Sequence, residues 1–470
     1  MAYPVLTLQA MRDWEERTWA QGVLEADVIA QVGRRIAERI MEMTAPGDSI
    51  LLLAGKGHNG DDVCAAIPWL SRRSVQLIRF HHVSKQTATF DAALADAPDL
   101  VVEGLFGIGL NRALEGDWAD VVHKINASRA TVVSIDIPSG LHADSGQPLG
   151  CAVRADQTWT VGAPKAGMVV QGASVYVGRM SVLADVGLTD LGDVGMGGVD
   201  LYWGDEGDFV DWPPKRPLVS HKGSHGCVQV LAGSRGYHGA AVLAARGATR
   251  ARPGLVELMT HVSSIDAVAL QLQNVMVHAF DRHLLVSPKT TAVVMGPGLA
   301  SNDIHVDVKI QVAEIWRDAS VPVVADASAL DWLPVSEESH STTRVITPHP
   351  GEAARMLGIS SQEVQADRLA ALRSLSVKYG HCWVVLKGHH TMIGRSSGPV
   401  YINPSGNPNL AQGGAGDILA GFLGGLLAQH ELMDDPEKIL RYGVWAHGHA
   451  ADQCQALLDS WDVNQLPDWL

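Results

Sequence analysis

The chain is punctuated by short, almost wholly apolar runs separated by helix-length segments. In its first part these are "SILLLA" (49–54), "VQLIRF" (75–80), "LVVEGL" (100–105), "TVVSID" (131–136) and "QTWTVG" (157–162). A strand apolar on both faces must be covered on both faces, and a parallel sheet with helices on each side does that. Ahead of the strands, Thr7 stands where it can cap a first helix, and Ile29, Val32, Ile36 and Ile40 recur at helical spacing. Between Gly187 and Pro217 the rhythm fails in "DLGDVGMGGVDLYWGDEGDFVDWPPKRP". A second α/β series then starts: "GCVQVLAG", "LVELMT", "AVVMGPG", "VPVVADAS", "RVITPHP", "CWVVLKG" and "PVYIN", closed by the Gly- and Ala-rich "GNPNLAQGGAGDILAGFLGGLLAQH". At 470 residues the chain exceeds one ordinary core. Two α/β domains are expected, 1–212 and 213–470.

Hydrophobic content of 46% and charged content of 19% describe a globular chain rather than a disordered one. A net charge of −15 argues against nucleic acid or an anionic membrane as the main partner. The five scattered cysteines form no C-x-x-C pair and read as reduced thiols. The N-terminal stretch lacks an apolar signal core, and no apolar run approaches the ~18 residues of a membrane span. A cytoplasmic protein is expected.

Three Gly-rich loops follow strands of the first series. Gly55-Lys56-Gly57-His58-Asn59-Gly60 satisfies G-x-G-x-x-G, which a dinucleotide loop or a tight strand-to-helix turn explains equally. Asp61 and Asp62 follow at once, where a pyrophosphate least tolerates anions, and the second strand ends in Arg79, His81 and His82 rather than in a ribose-binding acid. Arg79 suits a 2′-phosphate on the redox reading alone. The second loop carries Glu103, Gly107 and Gly109. The third, "DIPSG", sets Asp136 and Ser139 on the ligand edge of the sheet, or else serves as a cap or turn. The oxygen-bearing side chains of the three loops are Asn59, Glu103 and Ser139, a set suited to a hard cation.

At these residues the first part resembles the NAD(P)H-hydrate epimerase domain, over about residues 8 to 185. "DIPSG" (136–140) matches that family's motif fully, "LFGIG" (105–109) is similar to its Leu-Phe-Gly-Thr-Gly, and Asp62 takes the place of its loop aspartate. The resemblance implies a Rossmann-like three-layer fold and potassium at Asn59, Glu103 and Ser139. It also implies substrate contacts from His58, Asn59, Gly60, Asp61 and Asp62, from Gly107, Ile108, Gly109, Leu110, Asn111, Arg112 and Ala113, and from Asp136, the proton-transfer candidate. The chain departs from the pattern at His58 (Asn in the family), Glu103 (Asp), and Asp61 and Val63 (both Gly). Where a glycine served a positive φ, Asp61 would tolerate it better than β-branched Val63.

In the second part, "NLAQGGAGDILAG" puts Gly413, Gly414, Ala415 and Gly416 at a helix N-terminus with Asp417 just inside it. Backbone N–H groups there stabilise a transferring phosphoryl group, and Asp417 is placed to take a hydroxyl proton as general base. Dipole stabilisation is the plain alternative for such an acid, and the double glycine with the upstream "PSGNPN" weighs against it. No Walker A sequence is present. With "HKGSHG", "MGPGL", "TPHPGE" and "VVLKGHHT" in fixed order, this half resembles the ADP- or ATP-dependent NAD(P)H-hydrate dehydratase domain, of ribokinase-like fold, over about residues 215 to 465. The resemblance implies that Ala240, Gly298, His349 and Asp417 contact the hydrate. It implies that Lys387, Gly388, His389, His390, Thr391 and Gly416 bind adenine nucleotide. Ser328, Asn409 and Gln412 depart from the family's usual Asp, Gly and Thr. His447 and His449 show no third metal ligand.

The expected activity is nicotinamide-nucleotide repair: epimerisation of R and S NAD(P)H hydrates, and nucleotide-dependent dehydration of the S epimer. Potassium, magnesium and ADP (or ATP) are the expected cofactors and co-substrate, and a homo-oligomer is what the family implies. A sugar or vitamin-alcohol kinase with a degenerate first domain is the alternative, and a non-enzymatic nucleotide-binding scaffold is a third class.

Overall fold

A computed structural model describes residues 2–191 and 200–470. Residues 192–199 of the aperiodic segment lie outside the described residues. The chain separates into two compact units, Tyr3–Asp200 and Leu201–Leu470.

In the first unit six parallel strands lie in the spatial order Ser74–Arg79, Ser49–Ala54, Leu100–Gly104, Thr131–Ile135, Gln157–Val161, Arg179–Leu183. Successive side chains of a strand take opposite faces. Ile50, Leu52 and Ala54 therefore pack under the helices Glu25–Met43 and His58–Ala66, together with Val32, Ile36 and Val63. Leu51 and Leu53 pack on the other face with Phe90, Val121 and Ile125. Each such fully buried aliphatic side chain contributes about 1.5–3 kcal/mol. Thr7 caps the first helix, Leu8–Ala20, through its Oγ1, which accepts from the Ala10 N–H. From Ser49–Ala54 the chain passes to Ser74–Arg79 on one side, then crosses back to Leu100–Gly104 on the other. That reversal opens a crevice at the carboxyl ends of Ser49–Ala54 and Leu100–Gly104, where α/β sheets hold ligands.

In the second unit the sheet runs Leu201–Trp203, Val400–Ile402, Met392–Gly394, Trp383–Leu386, Arg344–Ile346, Val323–Ala325, Ala292–Met295, Cys227–Leu231, Leu255–His261, Met276–Phe280. Its pairings are parallel except at Met392–Gly394, which is antiparallel to both neighbours. Leu201–Trp203 comes from the segment whose sequence has no period. Its partner Val400–Ile402 supplies the order that local sequence does not.

The helices His238–Arg250 and Ala415–Leu427 pack on this sheet against Val228, Val230 and Val294. They also pack main chain on main chain. A Cβ on Gly421 would fall 1.9 Å from the Ala244 carbonyl oxygen, and one on Gly247 would fall 2.2 Å from that of Ile418. The small residues of "GAGDILAGFLGG" thus serve close helix packing as well as the helix N-terminus. All five cysteines are free, and among the described residues no helix is long and apolar enough to cross a membrane.

Candidate active sites

The crevice of the first unit is a cleft of about 800 Å³. His58, Asn59, Asp62, Asp136 and the stretch 107–112 line it, as do Glu15 and Lys56. Gly55 donates its N–H to the Gly104 carbonyl (3.0 Å), and a Cβ on Gly55 would lie 1.9 Å from the Leu105 carbonyl oxygen. Gly60 turns toward Gly55, where a Cβ would meet the carbonyl oxygen at 2.2 Å. The glycines are there for close approach of two loops. Asp61 faces away from the cleft wall, ion-paired with Arg79, and this occupies the guanidinium that a 2′-phosphate would need. Ala113 lies behind the wall near Gly150.

Asp61 and Val63 both belong to the helix His58–Ala66. No positive φ is required at either, so the strain expected of a β-branched residue at 63 does not arise. Val63 instead fills the core: its Cγ2 lies 2.7 Å from where a Cβ at Gly104 would stand.

Asn59, Glu103 and Ser139 are brought together, all buried. Glu103 Oε1 accepts from Ser134 Oγ (2.5 Å) and the Ser139 N–H (3.0 Å). Its Oε2 accepts from Ser139 Oγ (2.6 Å) and the Leu105 N–H (3.2 Å). Asn59 donates from Nδ2 to the carbonyls of Phe106 and Ile135, each at 3.1 Å. Its Oδ1 is buried and has no partner among the described residues. An orphaned oxygen beside two carbonyls and a serine hydroxyl is a donor set for a hard cation. The four bonds to Glu103 fill a carboxylate's capacity, and they brace its own loop against the one that carries Ser139.

Asp136 stands just after the strand Thr131–Ile135 with φ of 65°, a left-handed conformation that an aspartate adopts at some cost. Its N–H reaches the Trp159 carbonyl (2.8 Å), and its Oδ1 accepts from the Val161 N–H (3.2 Å). The same oxygen pairs with Lys165, a fully buried lysine whose Nζ also donates to Thr160 Oγ1 (2.9 Å) and the Val161 carbonyl (3.1 Å). Burial, and then the charge of Asp136, raises the carboxyl pKa of Glu15 and, more strongly, that of Asp62. Three carboxyl groups and one ammonium therefore meet at the cleft. Sequence reading missed Lys165 and Glu15. The one signal for Lys165 is a lysine in the otherwise apolar "VGAPKAGMVV" directly after a strand.

In the second unit Asp417 sits in the first turn of Ala415–Leu427, behind Gly414 with φ of 100°. Burial raises its pKa to about 7, the neighbouring Asp326 adds to the rise, and Lys387 opposes it. Lys387 donates from Nζ to Asp326 Oδ1 (2.8 Å) and lies 3.9 Å from Glu352 Oε2. Asp326, at the end of Val323–Ala325, also accepts from Thr347 Oγ1 (2.7 Å). A Cβ on Gly416 would come 3.1 Å from Lys387 Nζ, so the cation faces the helix N-terminus directly.

His349 caps Pro350–Leu357, with Nδ1 accepting from the Gly351 N–H (3.0 Å), while Glu352 accepts from the His349 N–H (2.7 Å). That bond fixes Nδ1 as an acceptor and leaves Nε2 to carry the proton. Ala240 and Gly298 are neighbours: a Cβ on Gly298, whose φ is 64°, would meet Ala240 Cβ at 2.8 Å. His447 is buried, its Nε2 sits 2.9 Å from the Ala415 carbonyl, and burial lowers its pKa to about 4. The ring is therefore neutral and donates to that carbonyl. Among the described residues no group of three His, Cys, Asp or Glu is arranged to hold a metal ion. Asp326, Glu352 and His447 escaped sequence reading as site residues. Asp326 carries the signature that marked Asp136, an acid at a strand's carboxyl end.

The chain thus carries two candidate sites, a crevice holding a lysine-pinned aspartate and a helix N-terminus carrying a buried one. Residues 228–461 match the NAD(P)H-hydrate dehydratase family, and residues 76–167 match the family of YjeF-related protein N-termini. A bifunctional NAD(P)H-hydrate repair enzyme of Gloeobacter violaceus is 35% identical over 93% of this chain and 91% of its own. One from Coxiella burnetii is 33% identical, over 94% and 93%. The chain belongs to the family of bifunctional NAD(P)H-hydrate repair enzymes. A crystal structure of the ADP/ATP-dependent NAD(P)H-hydrate dehydratase of Bacillus subtilis, co-crystallised with ATP/Mg²⁺, is 30% identical. It aligns over 55% of this chain and 91% of that one, with a TM-score of 0.47.

Proposed function

We propose that the chain repairs hydrated nicotinamide nucleotides in two reactions, one in each of the units Tyr3–Asp200 and Leu201–Leu470. A hydrate carries a hydroxyl at C6 of the reduced ring and exists as R and S epimers. In the first domain Asp136 is the proton-transfer residue for the inversion at C6, with Lys165 holding the carboxylate in place. His58, Asn59, Asp62 and the stretch 107–112 hold the nucleotide around it. Potassium fits between the loops on one observation, the buried and unpartnered Asn59 Oδ1. Asn59 and Ser139 would hold the ion, with Glu103 exchanging one of its hydrogen bonds for it. Bound there, it supplies fixed positive charge to an anionic substrate.

In the second domain Asp417 takes the proton of the C6 hydroxyl as its oxygen attacks the terminal phosphoryl group of ADP. The bond to the departing AMP breaks. Phosphate, a far better leaving group than hydroxide, then departs from C6 as C5 loses a proton, and NAD(P)H is restored. ATP would serve in the same way and release ADP. Ala240, Gly298 and His349 hold the hydrate, while Lys387–Thr391 and Gly416 hold the adenine nucleotide. The carboxylates of Asp326 and Glu352 are donors of the kind magnesium takes alongside substrate phosphates, whose charge it neutralises when bound. The observation that carries this reading is Asp417, raised to about 7 within one turn of the N–H groups that receive a phosphoryl group.

The test is incubation of the protein with hydrated NADH and ADP while the absorbance of reduced nicotinamide is followed. Recovery with release of AMP and phosphate is expected. A stable phosphorylated product would instead establish the small-molecule kinase. A cytoplasmic homo-oligomer completes the reading.

A further inference from the structure

The loop Lys387–Thr391 joins two antiparallel strands, Trp383–Leu386 and Met392–Gly394. Gly388 has φ of 135° and His390 of 55°, so the loop is bent away from any regular conformation. What holds it is a side chain from elsewhere. Arg368, the first residue of the helix Arg368–Lys378, donates from Nη1 to the His389 carbonyl (2.5 Å). From Nη2 it donates to the carbonyls of Leu386 (3.0 Å) and Lys387 (3.4 Å). Its Nε is buried without a partner among the described residues. On the far side the His390 ring stacks on His389, centroids 3.8 Å apart, and meets Trp203 edge-on at 4.8 Å. Among the described residues the N–H groups of Gly388, His389 and His390 have no acceptor, and Gly388 and His389 are exposed.

We propose that Arg368 is the positioning residue of a phosphate subsite: by gathering the carbonyls of Lys387 and His389 to its guanidinium, it turns the free N–H groups of the same two peptides, those of Gly388 and His390, outward onto a nucleotide phosphate. The proposal rests on the nucleotide reading of this loop and adds to it which part of the nucleotide is held and by what. Carbonyls gathered on one side leave amide dipoles with their positive ends on the other, which is how backbone nests bind anions. The guanidinium adds an unneutralised charge beneath them, since its partners are all carbonyls. Lysine cannot replace it, because a single ammonium on a flexible stem lacks the planar fork that spans separate acceptors.

The test uses the full chain with Arg368→Lys and Arg368→Ala, ADP titrated by calorimetry, and steady-state dehydration of the S hydrate. Each substitution should weaken ADP binding by about 10–100-fold, the range for hydrogen bonds to a charged group. The loss should fall on KM for ADP rather than on kcat or on KM for the hydrate. Methylguanidinium added to the Ala variant should recover part of the ADP affinity, which a general loss of packing would not permit. Unchanged ADP affinity in both variants, beside tight binding by the unsubstituted protein, would overturn the role of Arg368 alone. So would a loss confined to kcat, or full replacement by lysine. Absence of ADP binding by the unsubstituted protein would overturn the nucleotide reading as well.

Discussion

Asp417→Asn should make the second unit more stable while ending its chemistry. The carboxyl has an ordinary value of 3.8 and is raised to about 7 by burial and by Asp326. Between those values the folded state binds more protons than the unfolded one, so stability falls as pH rises through the window. Above pH 7 the full shift costs roughly 4 kcal/mol, of which only about 1.5 kcal/mol has accrued by pH 5. Asparagine is neutral in both states and escapes the cost. Scanning calorimetry should therefore show the variant's transition for Leu201–Leu470 displaced upward, by ~2–4 °C for each kcal/mol recovered. The displacement should be larger at pH 8 than at pH 5. Dehydration in the same samples should fall about 10²–10⁴-fold, the usual loss with a positioned base. In the unsubstituted protein kcat/KM should rise through a limb near pH 7 as Asp417 ionises. An equal displacement at both pH values would refute the buried-charge argument. Near-normal turnover would leave Asp417 a helix-end charge and nothing more.

Asp136→Asn should abolish R-to-S interconversion, followed by chiral chromatography of the hydrates, yet leave ADP-dependent repair of the S epimer intact. Equal loss of both in a folded variant would contradict two independent sites. Lys165→Met strands a largely buried carboxylate, and breaking such a pair costs about 3–5 kcal/mol. Chemical denaturation at neutral pH should show that loss. Val63→Gly restores a family glycine but empties a core position and weakens a helix, for a combined loss of about 3 kcal/mol. A stabilised variant would mean that the loop, not the core, governs position 63.

The strands were legible because fully apolar runs have few alternatives, and the places of Asp136 after a strand and of Asp417 in a first helical turn were legible because Pro-Ser-Gly and paired glycines mark such junctions. Leu201–Trp203 was not, since its order comes from Val400–Ile402, far along the chain. Lys165 and Arg368 were hidden for the same reason: each matters through acceptors on other elements, and neither sits in a pattern. The departures at Asp61 and Val63 were visible, but their meaning was not. It depends on a helix starting at His58, on Arg79 across the loop and on the bare backbone of Gly104.

Where the helices His238–Arg250 and Ala415–Leu427 touch, spine meets spine at Gly247 and Gly421. A joint of that kind has no play. Interlocked side chains can trade volume among themselves, but two main chains in contact have nothing to trade. The depth at which Asp417 stands is thereby set by two hydrogen atoms, one on each glycine. Laboratory evolution of this domain toward other alcohols should therefore leave 247 and 421 untouched and collect its changes in the loops around the helix end, where the scaffold still bends.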